Sequence, residues 1–336
     1  MQAEKHDIPD GLNEEYYQVS NDILGSFNKY RPPLNIFLFK EDVSRVVPYY
    51  KVGGRLTNEQ IEELRALTND GLVFVSRADH PVYVKHISYQ LDLVLVDRRL
   101  TEREIADIFT QALTRRMADF LEQPVKPVLE KLRVDVMVLT EYLYTDMARA
   151  RALVRRLHTE HSLENHSVNT AFTGIALWGR LKGDNFQDSV KRKVFDRTVL
   201  GLFLHDMGMT RVPEFIRSKT KPLTLDERGK VNAHVKAGFE MLHKLDLRYL
   251  EMEQCAVQHH ERLGGSGYPL KSVTQDFAGR LCAVADSFSA MVAKRPYAEA
   301  MGPVKAAALL ARDGKYDREI TGALQALLLL DLKMKP

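Results

Sequence analysis

Apolar and polar positions repeat at two different periods along this chain, and the change of period marks its organisation. In the first hundred residues the apolar positions fall in short β-type runs at 35–39, 71–76 and, with a break inside, 82–96. Between the first two runs, Ile61, Leu64 and Leu67 recur at helical spacing. Thr57 stands ahead of them as an N-cap, with Gln60 three residues on completing a capping box. Asn69-Asp70-Gly71 then turns the chain into the next run, and Lys51-Val52-Gly53-Gly54 supplies another turn. Residues 1–33, ending in Arg31-Pro32-Pro33, read as an irregular lead-in. The spacing changes at Thr101, which opens a helix over 101–123 with its own capping box to Glu104. Pro124 and Pro127 interrupt it, and from 128 nearly every segment reads as helix. Loops are marked at 183–184, 221–222, 264–269 and 302–303. The pattern predicts an α+β chain: a lead-in (1–33), a small α/β module (34–98), linking helices (99–145) and an all-α bundle (146–336). The boundary before the bundle falls between 124 and 145.

Composition narrows the class. A chain of 336 residues, 45% hydrophobic and 28% charged, can bury two cores and has the balance of an ordinary soluble protein. The N-terminus is acidic and polar, with no apolar signal segment. The longest apolar stretch, 323–330, is far too short to span a bilayer, so a cytoplasmic protein without a membrane segment is expected. Cys255 and Cys282 are the two cysteines and form no C-x-x-C pair. That argues against a disulfide framework and a thiolate zinc site, and fits a reducing compartment. A net charge of +3 suits an acidic small molecule as well as nucleic acid and decides nothing.

The chemistry lies in polar residues set beside apolar helical runs. They are His166, the pair His205-Asp206, His234, the pair His259-His260, and Asp286, each separated from the next by about one helix and its loop. In a bundle that spacing lets successive helices project ligands to one interior point. His205-Asp206 follows the apolar run TVLGLFL, and a carboxylate buried there needs a partner, which a metal ion supplies. Adjacent residues of a helix point about 100° apart, so this His and Asp would flank an ion pair, with the carboxylate bridging. Seven nitrogen and oxygen ligands are too many for one zinc ion and suit two octahedral ions, iron first and manganese second. Two ions activating a bridging water are what displacement at phosphorus requires.

Four stretches in order, LGLFLHDMG (200–208), HHERLGGSGYP (259–269), RLCAVADSFSAM (280–291) and KRPY (294–297), resemble the HD-GYP family of metal-dependent phosphohydrolases. The segment 218–238, with its capping box from Thr224 to Glu227 and His234, has the family's look too. The resemblance runs from about 160 to 330. It implies a helical HD-GYP bundle that hydrolyses cyclic di-GMP, a bacterial second messenger, to pGpG or onward to GMP. By position it implies the same seven metal ligands, with Asp206 as the bridging catalytic carboxylate and Tyr268 and Arg295 as substrate contacts. The chain departs from the pattern at Met209, where the family has a lysine for the scissile phosphate. Gly264 and Ser289 stand where aspartates are usual, and Ala298 where a basic residue is common. Ser162 replaces the glutamate that gives some members a third metal, so two ions are expected. These departures leave three readings: a phosphodiesterase of reduced activity, a cyclic di-GMP receptor without turnover, or a hydrolase of another phosphoester. No DNA partner is implied.

Residues 34–98 carry no catalytic constellation and are expected to act as a regulatory module that binds a signalling partner. The helices from 101 to 160 have the length to relay a signal or to form a homodimer.

Overall fold

The structure, a computed structural model, describes residues 15–19, 21–79, 82–83, 91, 94, 100–183 and 189–333. The chain divides into two compact units, Met1–Ala112 and Leu113–Pro336.

The first unit holds a four-stranded antiparallel sheet in the order β1 (Tyr16–Gln18), β4 (Val73–Ser76), β2 (Ile36–Lys40), β3 (Arg45–Tyr50). Val73, Phe74 and Val75 are buried in succession, as a central strand covered on both faces demands. Pro48 lies in β3, at the sheet edge, where a missing N–H breaks no ladder on the outer side. Helix α2 (Asn58–Asn69) starts on Thr57 with both halves of the predicted capping box formed and buries Ile61 and Leu64. Two elements lie inside the segment read as an irregular lead-in, β1 and the short helix α1 (Asn21–Ser26). Of the β-type run at 82–96, Val82, Tyr83, Leu91 and Val94 are described; Val82, Tyr83 and Val94 are helical and Leu91 lies in a turn, none of them extended. The rest of that run lies outside the described residues. Tyr83 explains the misreading: its ring is fully buried and stacks on Tyr17 at 4.5 Å, so its apolar character serves a tertiary contact.

The division between the units falls within α3 (Glu102–Glu122). Phe109, Ala112, Leu113, Met117 and Phe120 are all fully buried, so the apolar stripe continues through it without punctuation. The proline break expected after this helix is present, and Pro127 lies in the first turn of α4 (Lys126–Tyr144).

Among its described residues the second unit's regular elements are helices, with isolated β-bridges at Glu160–Lys294 and Arg295–Ala298. After the short α5 (Ala150–Val154) come α6 (Leu163–Lys182), α7 (Ser189–Leu204), α8 (Glu214–Arg217), α9 (Leu225–Asn232) and α10 (His234–Lys244). They are followed by α11 (Leu250–Gln258), α12 (Phe277–Val292), α13 (Pro303–Arg312) and α14 (Arg318–Lys333). Helix α6 is buried on all sides from His166 to Trp178 and packs along α12, with α7 and α14 also against it. Trp178 contacts Phe195 of α7 and Phe277 of α12 at ring distances of 5.7 and 5.4 Å. No helix of the described residues is long and apolar enough to cross a membrane.

Candidate metal centre

The seven residues singled out in the sequence come from five separate segments and meet beside the α6–α12 pair. Ser162 caps α6 by accepting from the Asn165 N–H at 3.2 Å, which puts His166 in the first turn. Asp286 lies midway along α12. The other five sit at helix ends rather than within helices. Helix α7 stops at Leu204, and His205 and Asp206 form the bend into a 3₁₀ turn, Met207–Arg211. The uninterrupted helix expected over 198–209 is thus broken, which removes the 100° constraint and lets both side chains face inward. His234 opens α10, and His259 and His260 follow the end of α11. Gly208 allows the close approach here. A Cβ on it would lie 2.0 Å from the His234 carbonyl oxygen and 2.6 Å from the Gly238 nitrogen.

Two groups of ligands result, His166-His205-Asp206 and His234-His259-His260. Both aspartates span them. Asp206 reaches His166 at 4.0 Å and His234 at 3.1 Å, while Asp286 lies 3.0 Å from His166, 4.0 Å from His205 and 3.9 Å from His260.

Hydrogen bonds fix what these groups can bind. Nδ1 of His205 donates to the Leu202 carbonyl (2.8 Å), that of His234 to Val231 (2.6 Å) and that of His259 to Cys255 (2.9 Å). A carbonyl can only accept, so each Nδ1 carries the proton and each Nε2 presents a lone pair to the centre. Yet His234 Nε2 faces His259 Nε2 at 3.2 Å and Asp206 Oδ1 at 3.1 Å. Lone pairs opposed at this range repel unless a cation lies among them. His205 Nε2 and Asp206 Oδ1 are also buried without a hydrogen-bond partner. The donor set therefore fits divalent metal.

Burial pulls the His205 imidazole down, against the opposing charge of Asp206. His259 is held well below the usual histidine range by burial, reinforced by its histidine neighbours. Burial takes His260 down to about 4, with Asp286 opposing. For Asp286 burial acts to raise the pKa, but the His166 hydrogen bond and the imidazoles outweigh it and hold the carboxyl well below its ordinary value. Neutral imidazoles and ionised carboxylates are the forms that ligate metal.

The cluster forms the floor of a cavity of about 1050 Å³, which His166, Asp206, His234, His260 and Asp286 line while His205 and His259 sit fully buried behind. Tyr268 stacks on His260 at 4.6 Å and lines the same cavity, as does Arg295, whose Nη1 donates to the Tyr297 hydroxyl at 2.9 Å. The loop carrying Tyr268 is held by Glu261, a buried carboxylate that accepts from the N–H groups of Leu270 (2.6 Å) and Ser272 (3.1 Å). Gly267 is required there, because a Cβ would meet the His260 carbonyl oxygen at 2.4 Å. Of the departures noted in the sequence, Met209 lines the cavity, whereas Ser289 is turned into the core and donates to the Ala285 carbonyl at 2.7 Å. Among the cavity residues that the sequence reading passed over are His161 and Arg217. His161 precedes α6 without an apolar run, and Arg217 sits among other basic residues, so neither gives a local signal.

Residues 188–320 match the family model described as HD domain. The cyclic di-GMP phosphodiesterase response regulator RpfG of Xanthomonas campestris is 39% identical over 100 residues, 29% of this chain and 26% of that protein. A cyclic di-GMP phosphodiesterase of Pseudomonas aeruginosa is 32% identical over 175 residues, 50% of this chain and 40% of that one. The chain thus spans well under half the length of these relatives. Bd1817, a HDG"Y"P protein from Bdellovibrio bacteriovorus, shares the fold with a TM-score of 0.59 at 15% identity, over 94% of this chain and 99% of that one. Residues 188–320 of the helical bundle therefore match an HD domain. Within the matched stretch the chain keeps Gly267-Tyr268-Pro269 shortly after the His259-His260 pair.

Proposed function

We propose that this chain hydrolyses cyclic di-GMP, holding two divalent ions, iron first and manganese second, on His166, His205, Asp206, His234, His259, His260 and Asp286. The observation that carries the reading is the opposition of His234 Nε2 to His259 Nε2 and Asp206 Oδ1, a set of converging acceptors that a bound divalent ion would satisfy together. When bound, such a pair of ions supplies Lewis acidity toward phosphoryl oxygens and an acidified water. Asp206, whose two oxygens face opposite groups of histidines, serves as the shared carboxylate. The carbonyl-bonded Nδ1 protons hold three imidazoles in one tautomer, so no reorientation is needed during the reaction. Tyr268 and Arg295 line the wall against which the nucleotide would rest, and a guanidinium suits either a guanine edge or a phosphate. Hydrolysis adds water across one P–O bond of the ring to give linear pGpG, and a second cleavage gives GMP. A cavity of about 1050 Å³ has room for a dinucleotide. The first unit, with its small sheet, would carry the signal from a protein partner.

Met209 favours a second reading, a receptor that binds the nucleotide without cleaving it, because a thioether faces the cavity there instead of a cation. Incubating iron- or manganese-loaded protein with cyclic di-GMP and separating products by chromatography decides between them. Linear product supports the enzyme. Tight binding with the substrate recovered intact supports the receptor, and neither binding nor turnover directs the search to another phosphoester.

A further inference from the structure

Phosphodiester chemistry beside a metal pair needs a positive group on the remaining phosphoryl oxygens, and position 209 offers none. Six cationic side chains line the cavity: Arg217, Lys219, Lys221, Arg228, Arg262 and Arg295. Most are committed or exposed. Lys219 is paired with both oxygens of Glu227 at 2.6 and 2.7 Å. Arg262 donates to the His259 and Glu261 carbonyls and to Ser287, and lies over the Tyr316 ring at 4.6 Å. Lys221 and Arg228 are exposed, where water screens their charge. Arg295 spends one amino group on Tyr297.

Arg217 differs from these. It ends α8, is half-buried, and its Nε donates to the Val212 carbonyl at 3.0 Å, which orients the guanidinium and leaves both terminal amino groups free for a ligand. Among the described residues no carboxylate lies within ion-pair distance of it. We propose that Arg217 grips the scissile phosphodiester, supplying from α8 the cation that Met209 does not, in concert with Arg295, which lines the same cavity. The role rests on the cyclic dinucleotide reading above. His161 lines the same cavity, beside His166 at a ring distance of 5.6 Å. The Arg295 side of this arrangement is fixed by the backbone, since His161 N–H donates to the Lys294 carbonyl at 3.1 Å and Lys294 N–H to that of Thr159 at 2.7 Å.

The test uses the full metal-loaded chain with two probes, inorganic phosphate and cyclic di-GMP. Arg217→Gln keeps the length of the side chain and removes its charge. It should keep its metal, weaken phosphate binding about tenfold or more, and lower kcat/KM for cyclic di-GMP by roughly a hundredfold, the scale of losing one anion donor. Arg217→Lys should fall between the two. Adding Met209→Lys to Arg217→Gln should restore much of the loss, because a lysine there enters the same cavity. Phosphate affinity unchanged in Arg217→Gln would overturn the assignment, and failure of the double variant to recover would count against positions 209 and 217 serving one phosphate. Phosphate binding that depends on Arg217, in a chain that leaves cyclic di-GMP intact, would uphold Arg217 and remove the cyclic di-GMP reading.

Discussion

Three imidazoles of the centre have their outer nitrogens tied to backbone carbonyls, and this small feature decides the chemistry of the site. It turns the inner nitrogens into permanent acceptors, and acceptors crowded against a carboxylate call for a cation. Asp206→Ala should therefore strip metal and abolish turnover; a variant retaining its full metal content would refute the ligand assignment. Acid should act on the metal-free chain in a definite direction. His260 and His161 titrate near 4 in the fold, against an ordinary 6.5. Between those values the unfolded chain binds more protons than the folded one, so stability falls as pH drops from about 6.5 toward 4. Thermal melts of chelator-treated protein across that window should show a falling midpoint, and a flat profile would mean these imidazoles are not held neutral. All seven ligand candidates were legible in the sequence because each polar residue interrupts or borders an apolar run. His161 and Arg217 were not, because what marks them is proximity across the fold.

At the scale of elements, capping chemistry was the most readable signal. The boxes at Thr57 and Thr224 form with both reciprocal hydrogen bonds. Thr224→Ala should cost about 1 kcal/mol, readable as a small drop in denaturation midpoint. Strands were harder to see. Three residues of β1 carry too little pattern, and β3, which the sequence reading passed over, holds Pro48 at an edge position that tolerates it. Helix ends were the other blind spot, since TVLGLFLHDMGM gives no hint that α7 stops before His205. The stop is set by tertiary packing of Gly208 on α10. Glu261 shows how one buried carboxylate can organise a whole loop. Glu261→Ala leaves the Leu270 and Ser272 N–H groups without their acceptor and should destabilise the protein by roughly 1.5–3 kcal/mol, as for hydrogen bonds to a charged group. Substrate affinity should weaken in parallel, as Tyr268 loses its support; an unchanged affinity for cyclic di-GMP would show that Tyr268 does not contact it.

For the whole molecule, an α+β chain with a helical bundle could be read from periodicity alone, whereas the meeting of five segments at one point could be expected only from their spacing. The fold delivers that meeting through α6 and α12, which fix His166 and Asp286 in the interior while three helix ends bring in the other five residues. The account stands on the claim that this point holds a pair of divalent ions. Elemental analysis of the full chain, purified without chelator and reconstituted with ferrous or manganous ion under anaerobic conditions, tests it most directly. The account predicts two ions per chain, falling sharply in Asp206→Ala. A chain that stays metal-free under every loading condition, with its histidines intact, would contradict it.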